Sequence, residues 1–217
     1  MRAYVAELIG TFALVFCGTG AIIINQQSGG AIGHAGIAVT FGLIVMCMIY
    51  SLGNISGAHI NPAVSIAFTI SGRFPVNLLP GYIVSQLAGA LLASFTLKFL
   101  FPANVLLGAT IPTGTDMQSF VLELILSFIL MLVIISVAEG GKEQGLFAGL
   151  AIGAVVGLEA MFAGPICGAS MNPARSIAPA VASGHFEHLW IYCSAPVAGA
   201  LLALPLCNYL TLKPKTS

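Results

Sequence analysis

The sequence contains one short phrase twice. Residues 57–67 read GAHINPAVSIA, and residues 168–178, which begin 168 − 57 = 111 positions later, read GASMNPARSIA. In both copies an Asn precedes a Pro and a short apolar run. Asn is favoured immediately before a helix, and Pro is favoured at the first helical position. Each copy therefore predicts a helix that begins at the Pro, with the positive end of its dipole at the Asn.

The composition places these two phrases in a membrane. Charged residues make up 6% of the chain and hydrophobic residues 58%, whereas a soluble domain carries about 25% charged residues. Because the net charge is zero, nothing indicates a nucleic-acid partner. Six apolar stretches are long enough to cross a bilayer, which takes about 20 residues. They are residues 3–24, 35–52, 78–97, 120–138, 146–163 and 189–212.

The polar residues form no catalytic or metal-binding pattern. The five Cys lie mostly in apolar stretches, without the spacing of metal ligands or of a disulfide framework. No nucleophile is paired with a general base. We therefore expect no enzyme activity, no metal and no cofactor, and we interpret the Cys as packing residues. They are Cys17, Cys47, Cys167, Cys193 and Cys207.

Further repeats extend the duplication over the whole chain. The hexapeptide AGALLA at 88–93 returns at 198–203, and AELIGT at 6–11 corresponds to LELILS at 122–127. Each unit then holds three apolar stretches. Because three is odd, the second unit crosses the membrane in the opposite sense from the first, which is the inverted repeat of many transport proteins.

The two units have definite bounds and each contains one short helix. We predict repeats at about residues 3–101 and 117–212, joined by a turn-rich linker at 102–116. Segments 61–70 and 172–181 cannot span, because ten helical residues cover about 15 Å. They can enter from opposite sides and meet where their non-helical backbone lines a cavity. The predicted fold class is an all-α membrane protein with six transmembrane helices and two re-entrant half-helices in an inverted 3+3 repeat.

The distribution of Lys and Arg predicts the orientation. Most of them fall on one side of the six predicted spans, whereas Lys98 alone falls on the other. Because cytoplasmic loops carry an excess of basic residues, both termini are expected in the cytoplasm, in a multi-pass protein of the cell (inner) membrane. The residues on the cytoplasmic side are Arg2, Arg73, Lys142, Lys213 and Lys215.

The two Asn residues offer hydrogen-bond donors at the predicted meeting point. Asn61 and Asn172 can cap their half-helices and also turn an amide N–H toward a lumen. A solute oxygen between two donors and two positive dipole ends must accept, so a proton wire is interrupted and cations are repelled. The residues before each Asn can offer backbone carbonyls as acceptors. Those predicted to line the pore are Gly57, Ala58, His59, Gly168, Ala169 and Ser170.

Three acidic residues lie inside the predicted spans. Glu7 and Glu123 occupy matched positions, and we interpret them as groups behind the pore that hold the backbone of the re-entrant loops. A rival interpretation is proton coupling in a secondary transporter. Glu159 has no counterpart. It bonds loop backbone and thereby positions Arg175, or lies near enough to bias Arg175 directly, or is a satisfied buried carboxyl; the sequence leaves all three open.

These residues resemble the aquaporin, or major intrinsic protein, family over nearly the whole chain. The resemblance rests on paired Asn-Pro-Ala motifs within six spans. The phrases GRFP at 72–75 and GPICGASMNPARS at 164–176 are similar to the nodulin-like branch. The resemblance implies a homotetramer in the lipid bilayer, with one pore per protomer for small neutral solutes. The motif residues are Asn61, Pro62, Ala63, Asn172, Pro173 and Ala174.

The resemblance also implies a selectivity filter at four positions. Arg175 follows the second motif, and counting from the two Asn residues assigns Phe41, Ala160 and Ala169. Water-selective members carry a His and often a Cys at the two Ala positions, so a wider, less polar opening is implied. The implied function is a passive channel for glycerol-like polyols, neutral metalloid hydroxides (arsenous, boric or silicic acid) and water that excludes ions and protons. The alternatives are a water-selective channel, an ion-coupled secondary transporter and an occluded pore with a structural role.

Overall fold

Helices account for all the regular structure in residues 1–138 and 145–211, the part of the chain that the computed structural model describes. The predicted basic residues Lys142, Lys213 and Lys215 and the predicted end of the last span at Leu212 lie outside it. In chain order the helices are α1 (Arg2–Gln27), α2 (Gly33–Ser56), α3 (Pro62–Ile70), α4 (Leu79–Leu100), α5 (Asp116–Ala138), α6 (Ala148–Cys167), α7 (Pro173–Ser183) and α8 (Leu189–Thr211), with a 3₁₀ turn at Val76–Leu78 before α4.

Six of these helices, all but α3 and α7, are long and apolar enough to cross a membrane. The other two begin at the prolines of the repeated phrase and are 9 and 11 residues long, which is too short to span. The predicted fold class is therefore confirmed. The exact bounds of the two repeats stay a prediction.

The two halves pack as related units, and the short helix of each half packs against a span of the other half. In the first half α1 contacts α2 and α4, and in the second α5 contacts α6 and α8, while α2 and α6 pack across the boundary. The short helix α3 lies against α8 of the other half, and α7 lies against α4. Each half-helix is thus held by a span of the opposite repeat, which brings the two Asn-Pro-Ala segments together.

Glycines allow the spans to approach closely at matched places. A Cβ atom on Gly89 would collide with the backbone carbonyl of Leu8, and one on Gly199 would collide with that of Leu124. Across the boundary, a Cβ on Gly42 of α2 would lie 2.6 Å from the carbonyl oxygen of Gly153 on α6. Backbones in contact leave little slack between helices, so side chains facing the bundle centre determine the space that remains.

The linker between the halves is ordered and packs on both of them. Leu107 is 1% exposed, and the backbone N–H of Leu107 donates a hydrogen bond of 2.7 Å to the side-chain oxygen of Asn104. At the other end, Thr113 Oγ1 donates to the carbonyls of Pro165 and Ile166 at 2.7 and 2.8 Å. The linker therefore closes the end of α6, whose last carbonyls have no partner within the helix.

Candidate functional site

Each half-helix begins with its Asn as a capping residue. Asn61 Oδ1 accepts the backbone N–H of Ala63 at 2.9 Å, and Asn172 Oδ1 accepts that of Ala174 at 3.0 Å. Both Asn residues have extended backbone, and the residue after each is Pro at the first helical position. The caps satisfy N–H groups that a helix start leaves free, so the N-termini of both short helices are held in the protein interior.

The amide groups of the same two residues connect the halves. Asn61 Nδ2 donates to the carbonyl of Met171 at 2.7 Å, and Asn172 Nδ2 donates to the carbonyl of Ile60 at 2.8 Å. Each amide has two N–H bonds, so one is used across the halves and the other is left for the cavity that both residues line. The reciprocal bonds fix the positive ends of α3 and α7 side by side.

The loops that lead into the half-helices have an unusual backbone. We call residues 57–61 the first loop and residues 168–172 the second loop. Two non-glycine residues in each adopt left-handed φ angles at matched positions: Ala58 (46°) and Ile60 (42°), and Ala169 (41°) and Met171 (52°). Such residues cost about 1–3 kcal/mol each unless their surroundings hold them.

A buried carboxylate holds the first loop. Glu7 Oε1 accepts the backbone N–H of His59 at 2.9 Å, and Oε2 accepts that of Ile60 at 2.7 Å. The same carboxylate accepts from Ser56 Oγ and from Gln86 Nε2, each at 2.7 Å. Four donors in the interior satisfy both oxygens, and two of them lock the strained part of the loop.

The second loop is held in the same way from α5. Glu123 Oε1 accepts the backbone N–H of Ser170 at 2.7 Å, and Oε2 accepts that of Met171 at 2.7 Å. Glu123 is 0% exposed, as is Glu7. The matched carboxylates therefore contact the matched loops, which is the geometry that their positions in the repeat predict.

Two tyrosines that sequence reasoning missed also occupy matched positions. Tyr82 OH donates to the carbonyl of Ser56 at 2.7 Å, and Tyr192 OH donates to the carbonyl of Cys167 at 2.7 Å. Both acceptors are the last residues of spans, directly before the loops. The repeat could have revealed this pair, since 192 − 82 = 110 is the offset of the flanking AGALLA phrase.

A cavity of about 560 Å³ runs past these loops. The two Asn residues lie on its wall together with loop residues of both halves, including Ile60 and Met171, the last residues of the two runs expected to offer carbonyls. Gly168 was predicted to line the pore, but it is not part of the cavity wall. Its Cα faces Thr110 of the linker, because a Cβ there would lie 3.0 Å from the Thr110 methyl group. The other predicted carbonyl residues on the wall are Gly57, Ala58, His59, Ala169 and Ser170.

The four residues predicted to form a filter line the same cavity. Phe41 comes from α2, Ala160 from α6, Ala169 from the second loop and Arg175 from α7. They converge from four separate elements, and both Ala residues present only a methyl group. The arrangement leaves one aromatic ring, one cation and two small walls around a common space.

Arg175 is held by contacts that the sequence did not indicate. The residue is 3% exposed, its Nη1 donates to the carbonyl of Gly108 at 2.9 Å, and its Cζ lies 5.2 Å from the ring centroid of Phe41. A cation over an aromatic face is stabilised by the ring quadrupole. Gly108 belongs to the linker, so a segment predicted only as a turn-rich connection positions the intramembrane cation.

The hydrogen bonds expected from Glu159 to the second loop are not formed, so this prediction is wrong for the described residues. The side chain is 1% exposed, and neither carboxyl oxygen has a hydrogen-bond partner in that part of the chain. The loop N–H groups that it was expected to accept are bound by Glu123 instead. Among the described residues, Glu159 is therefore neither a brace of the second loop nor a satisfied buried carboxyl.

Six spans, four of which (α1, α2, α5 and α6) line a cavity into which two half-helices point from opposite repeats, define a transmembrane channel. Comparison with known proteins gives the family. The family model described as Major intrinsic protein matches residues 1–206. Aquaporin NIP1-1 of Zea mays is 48% identical over 202 residues, covering 93% of this chain and 72% of the relative. The chain belongs to the major intrinsic protein, or aquaporin, family.

Two further similarities agree with this membership. Nodulin-26 of Glycine max is 46% identical over 216 residues, covering 99% of this chain and 80% of the relative. The X-ray structure of the aquaglyceroporin from Plasmodium falciparum matches with a TM-score of 0.81 and 26% identity, covering 96% of this chain and 98% of that one. The protein is a multi-pass membrane channel and not an enzyme.

Proposed function

We propose that this channel passes small uncharged solutes down their gradients and excludes ions and protons. The solutes are glycerol-like polyols, neutral metalloid hydroxides such as arsenous, boric or silicic acid, and water. The observation that carries the proposal is the convergence of Phe41, Ala160, Ala169 and Arg175 on the cavity that also contains the paired Asn residues.

The proposed filter combines a donor with a wide, partly apolar wall. Arg175 provides N–H donors and a fixed positive charge, and the Phe41 ring provides an apolar face 5.2 Å from Cζ of that cation. Ala160 and Ala169 add no polar atoms beyond their backbone. A solute with a carbon chain or a neutral central atom can then lie against Phe41 while its hydroxyls bond to Arg175 and to loop carbonyls.

Proton and cation exclusion follows from the two Asn residues and from Arg175. The fixed N–H donors and the positive ends of α3 and α7 require a passing oxygen to accept from both sides. Its own hydrogens then point away from the centre, so a hydrogen-bonded chain cannot relay a proton. Because each Asn also donates across to the opposite loop, these donors cannot rotate to follow the solute.

Glu7 and Glu123 act in this proposal as supports for the loop carbonyls and not as transported-proton sites. Glu7 is bound by four donors, and Glu123 by two backbone N–H groups. Neither residue lies on the cavity wall. Ion coupling would need a carboxylate that the solute path reaches, so a passive channel fits this geometry better. We further propose a homotetramer in the cell (inner) membrane with both termini in the cytoplasm.

The function is tested by stopped-flow measurements on proteoliposomes containing the purified protein. We expect permeability to water, glycerol and arsenous acid, each proportional to its gradient and independent of a proton gradient. Transport against a solute gradient would identify a coupled transporter, and the absence of all fluxes an occluded pore. Water flux without glycerol or arsenous acid flux would identify a water-selective channel.

The position of the filter is tested by restoring bulk at its two small walls. Ala160→His with Ala169→Cys should reduce glycerol and arsenous acid permeability by at least about tenfold, because small differences in a close-fitting site discriminate by about that factor. Water permeability should fall much less. Equal losses for all three solutes in a correctly assembled variant would place the constriction elsewhere.

A further inference from the structure

The ring of Phe41 rests directly on the backbone of α1 at Gly18. Gly18 is buried in the middle of that helix. A Cβ atom on Gly18 would lie 2.5 Å from Cδ1 and 2.5 Å from Cζ of the Phe41 ring, and closer still to Cε1. Non-bonded carbon atoms are best separated by about 3.5–4.0 Å. The ring can therefore occupy its present place only because position 18 has no side chain.

Two other contacts of Phe41 restrict the directions in which the ring can move. Its helix α2 cannot retreat, since a Cβ on Gly42, the next residue, would already lie 2.6 Å from the Gly153 carbonyl of α6. The face of the ring lies under the Arg175 guanidinium. The open volume beside the ring is the cavity that Phe41 lines. A ring pushed away from α1 therefore moves into the pore.

We propose that Gly18 is a specificity-determining positioning residue, which sets how far the Phe41 ring withdraws from the pore and thus the width of the constriction. Gly18 itself does not line the cavity. The inference rests on the proposed function, in which Phe41 forms one wall of the filter. It assigns the opening for larger solutes to a residue one helix behind that filter, in addition to the two small Ala walls.

The test compares Gly18→Ala with a matched variant of the same helix, Gly20→Ala. Gly20 is also buried in α1, but a Cβ there would meet only Leu97 Cδ2, at an ordinary 3.4 Å. Both changes add one methyl group and raise helix propensity equally. In proteoliposomes we expect Gly18→Ala to lower the ratio of glycerol to water permeability by about tenfold, and Gly20→Ala to leave it unchanged.

A double-mutant cycle with Phe41→Ala assigns the effect to the ring. Phe41→Ala alone should raise the glycerol-to-water ratio, and adding Gly18→Ala should then change nothing, because no ring is left to displace. If Phe41→Ala does not alter the ratio, the proposed filter position is wrong. If Phe41→Ala does alter the ratio, two results overturn only the inference about Gly18. One is that Gly18→Ala has no effect on the ratio in the parent protein, and the other is that it has the same effect in the parent protein and in Phe41→Ala.

Assembly of the variants gives a second measurement. If Gly18→Ala alone fails to assemble, the double variant Gly18→Ala, Phe41→Ala should assemble as well as Phe41→Ala does, which supports the contact. Failure of the double variant as well would show that position 18 accommodates something other than the Phe41 ring, and would overturn the inference.

Discussion

Replacing Glu123 by Leu removes the acceptor that holds the second loop. The backbone N–H groups of Ser170 and Met171 each donate to this carboxylate at 2.7 Å. In the Leu variant both would be buried without a partner, at about 1–3 kcal/mol each, or about 2–6 kcal/mol together. For a chain of this size that corresponds to an apparent melting temperature lower by on the order of ten degrees.

The same change should alter selectivity, because the loop is strained. Ala169 and Met171 keep left-handed φ angles of 41° and 52°, and without Glu123 the two hydrogen bonds that most directly oppose their relaxation toward ordinary backbone are lost. Ala169 is a wall of the proposed filter, and the Met171 carbonyl accepts from Asn61. We therefore expect Glu123→Leu to lower discrimination between solutes as well as thermal stability, with Glu123→Gln intermediate since its amide oxygen retains one acceptor.

The assay is thermal unfolding in detergent combined with proteoliposome flux, with Ser127→Ala as the control. Ser127 lies on α5 four residues after Glu123 and is 2% exposed, and its hydroxyl has no hydrogen-bond partner in the described part of the chain. Its loss should change neither measurement. The reasoning would be refuted if Glu123→Leu melted with the parent protein, or if it melted lower but kept the same solute ratios.

Three further outcomes follow from single side chains. Arg175→Val should keep or raise neutral-solute flux while admitting a proton or cation leak, measured with a pH-sensitive dye in the vesicles, because the fixed charge is removed. Gly108→Ala should produce a weaker leak of the same kind. Gly108 has a φ of +72° and a Cβ there would lie 2.7 Å from Thr19 Cβ, so the change displaces the carbonyl that holds Arg175. Gly184→Ala is the control for backbone strain alone, because Gly184 has a φ of +84° and open space around it. Glu159→Leu should raise the melting temperature or leave it unchanged and preserve the flux ratios, since a buried unpartnered carboxyl is unfavourable; a destabilised variant would show that Glu159 has a partner.

The internal repeat explains why so much of this site could be predicted. Matching phrases identified the two caps, Asn61 and Asn172, and the two carboxylates, Glu7 and Glu123, as pairs. A residue that recurs at the same place in both halves must meet the same local need in both. The helix starts needed an acceptor for free N–H groups, and each carboxylate needed donors that a re-entrant loop could supply.

The parts that escaped prediction depend on long-range contacts or on backbone shape. Ala58 and Ile60 are ordinary apolar residues, and nothing in their identity indicates left-handed φ angles. The carbonyl of Gly108 reaches Arg175 from 67 residues away along the chain. Glu159 was misassigned because the loop N–H groups near it were already bound by Glu123. The position of Glu159 next to Ala160 in the sequence indicated where the side chain lies, but it did not indicate which group the carboxyl contacts.

In the proposed function, selectivity arises mainly where the two-fold pattern of the channel is broken. The first and second loops have matched strain, matched carboxylates and reciprocal Asn bonds, so they supply the same acceptors and donors from both sides. Arg175 has Val64 as its counterpart, and the carbonyl of Gly108, in the linker that joins the halves, accepts a hydrogen bond from this cation. In the proposed function the symmetric centre excludes protons, while size and polarity are selected by four residues of which only Ala169 has an identical counterpart in the other half, Ala58.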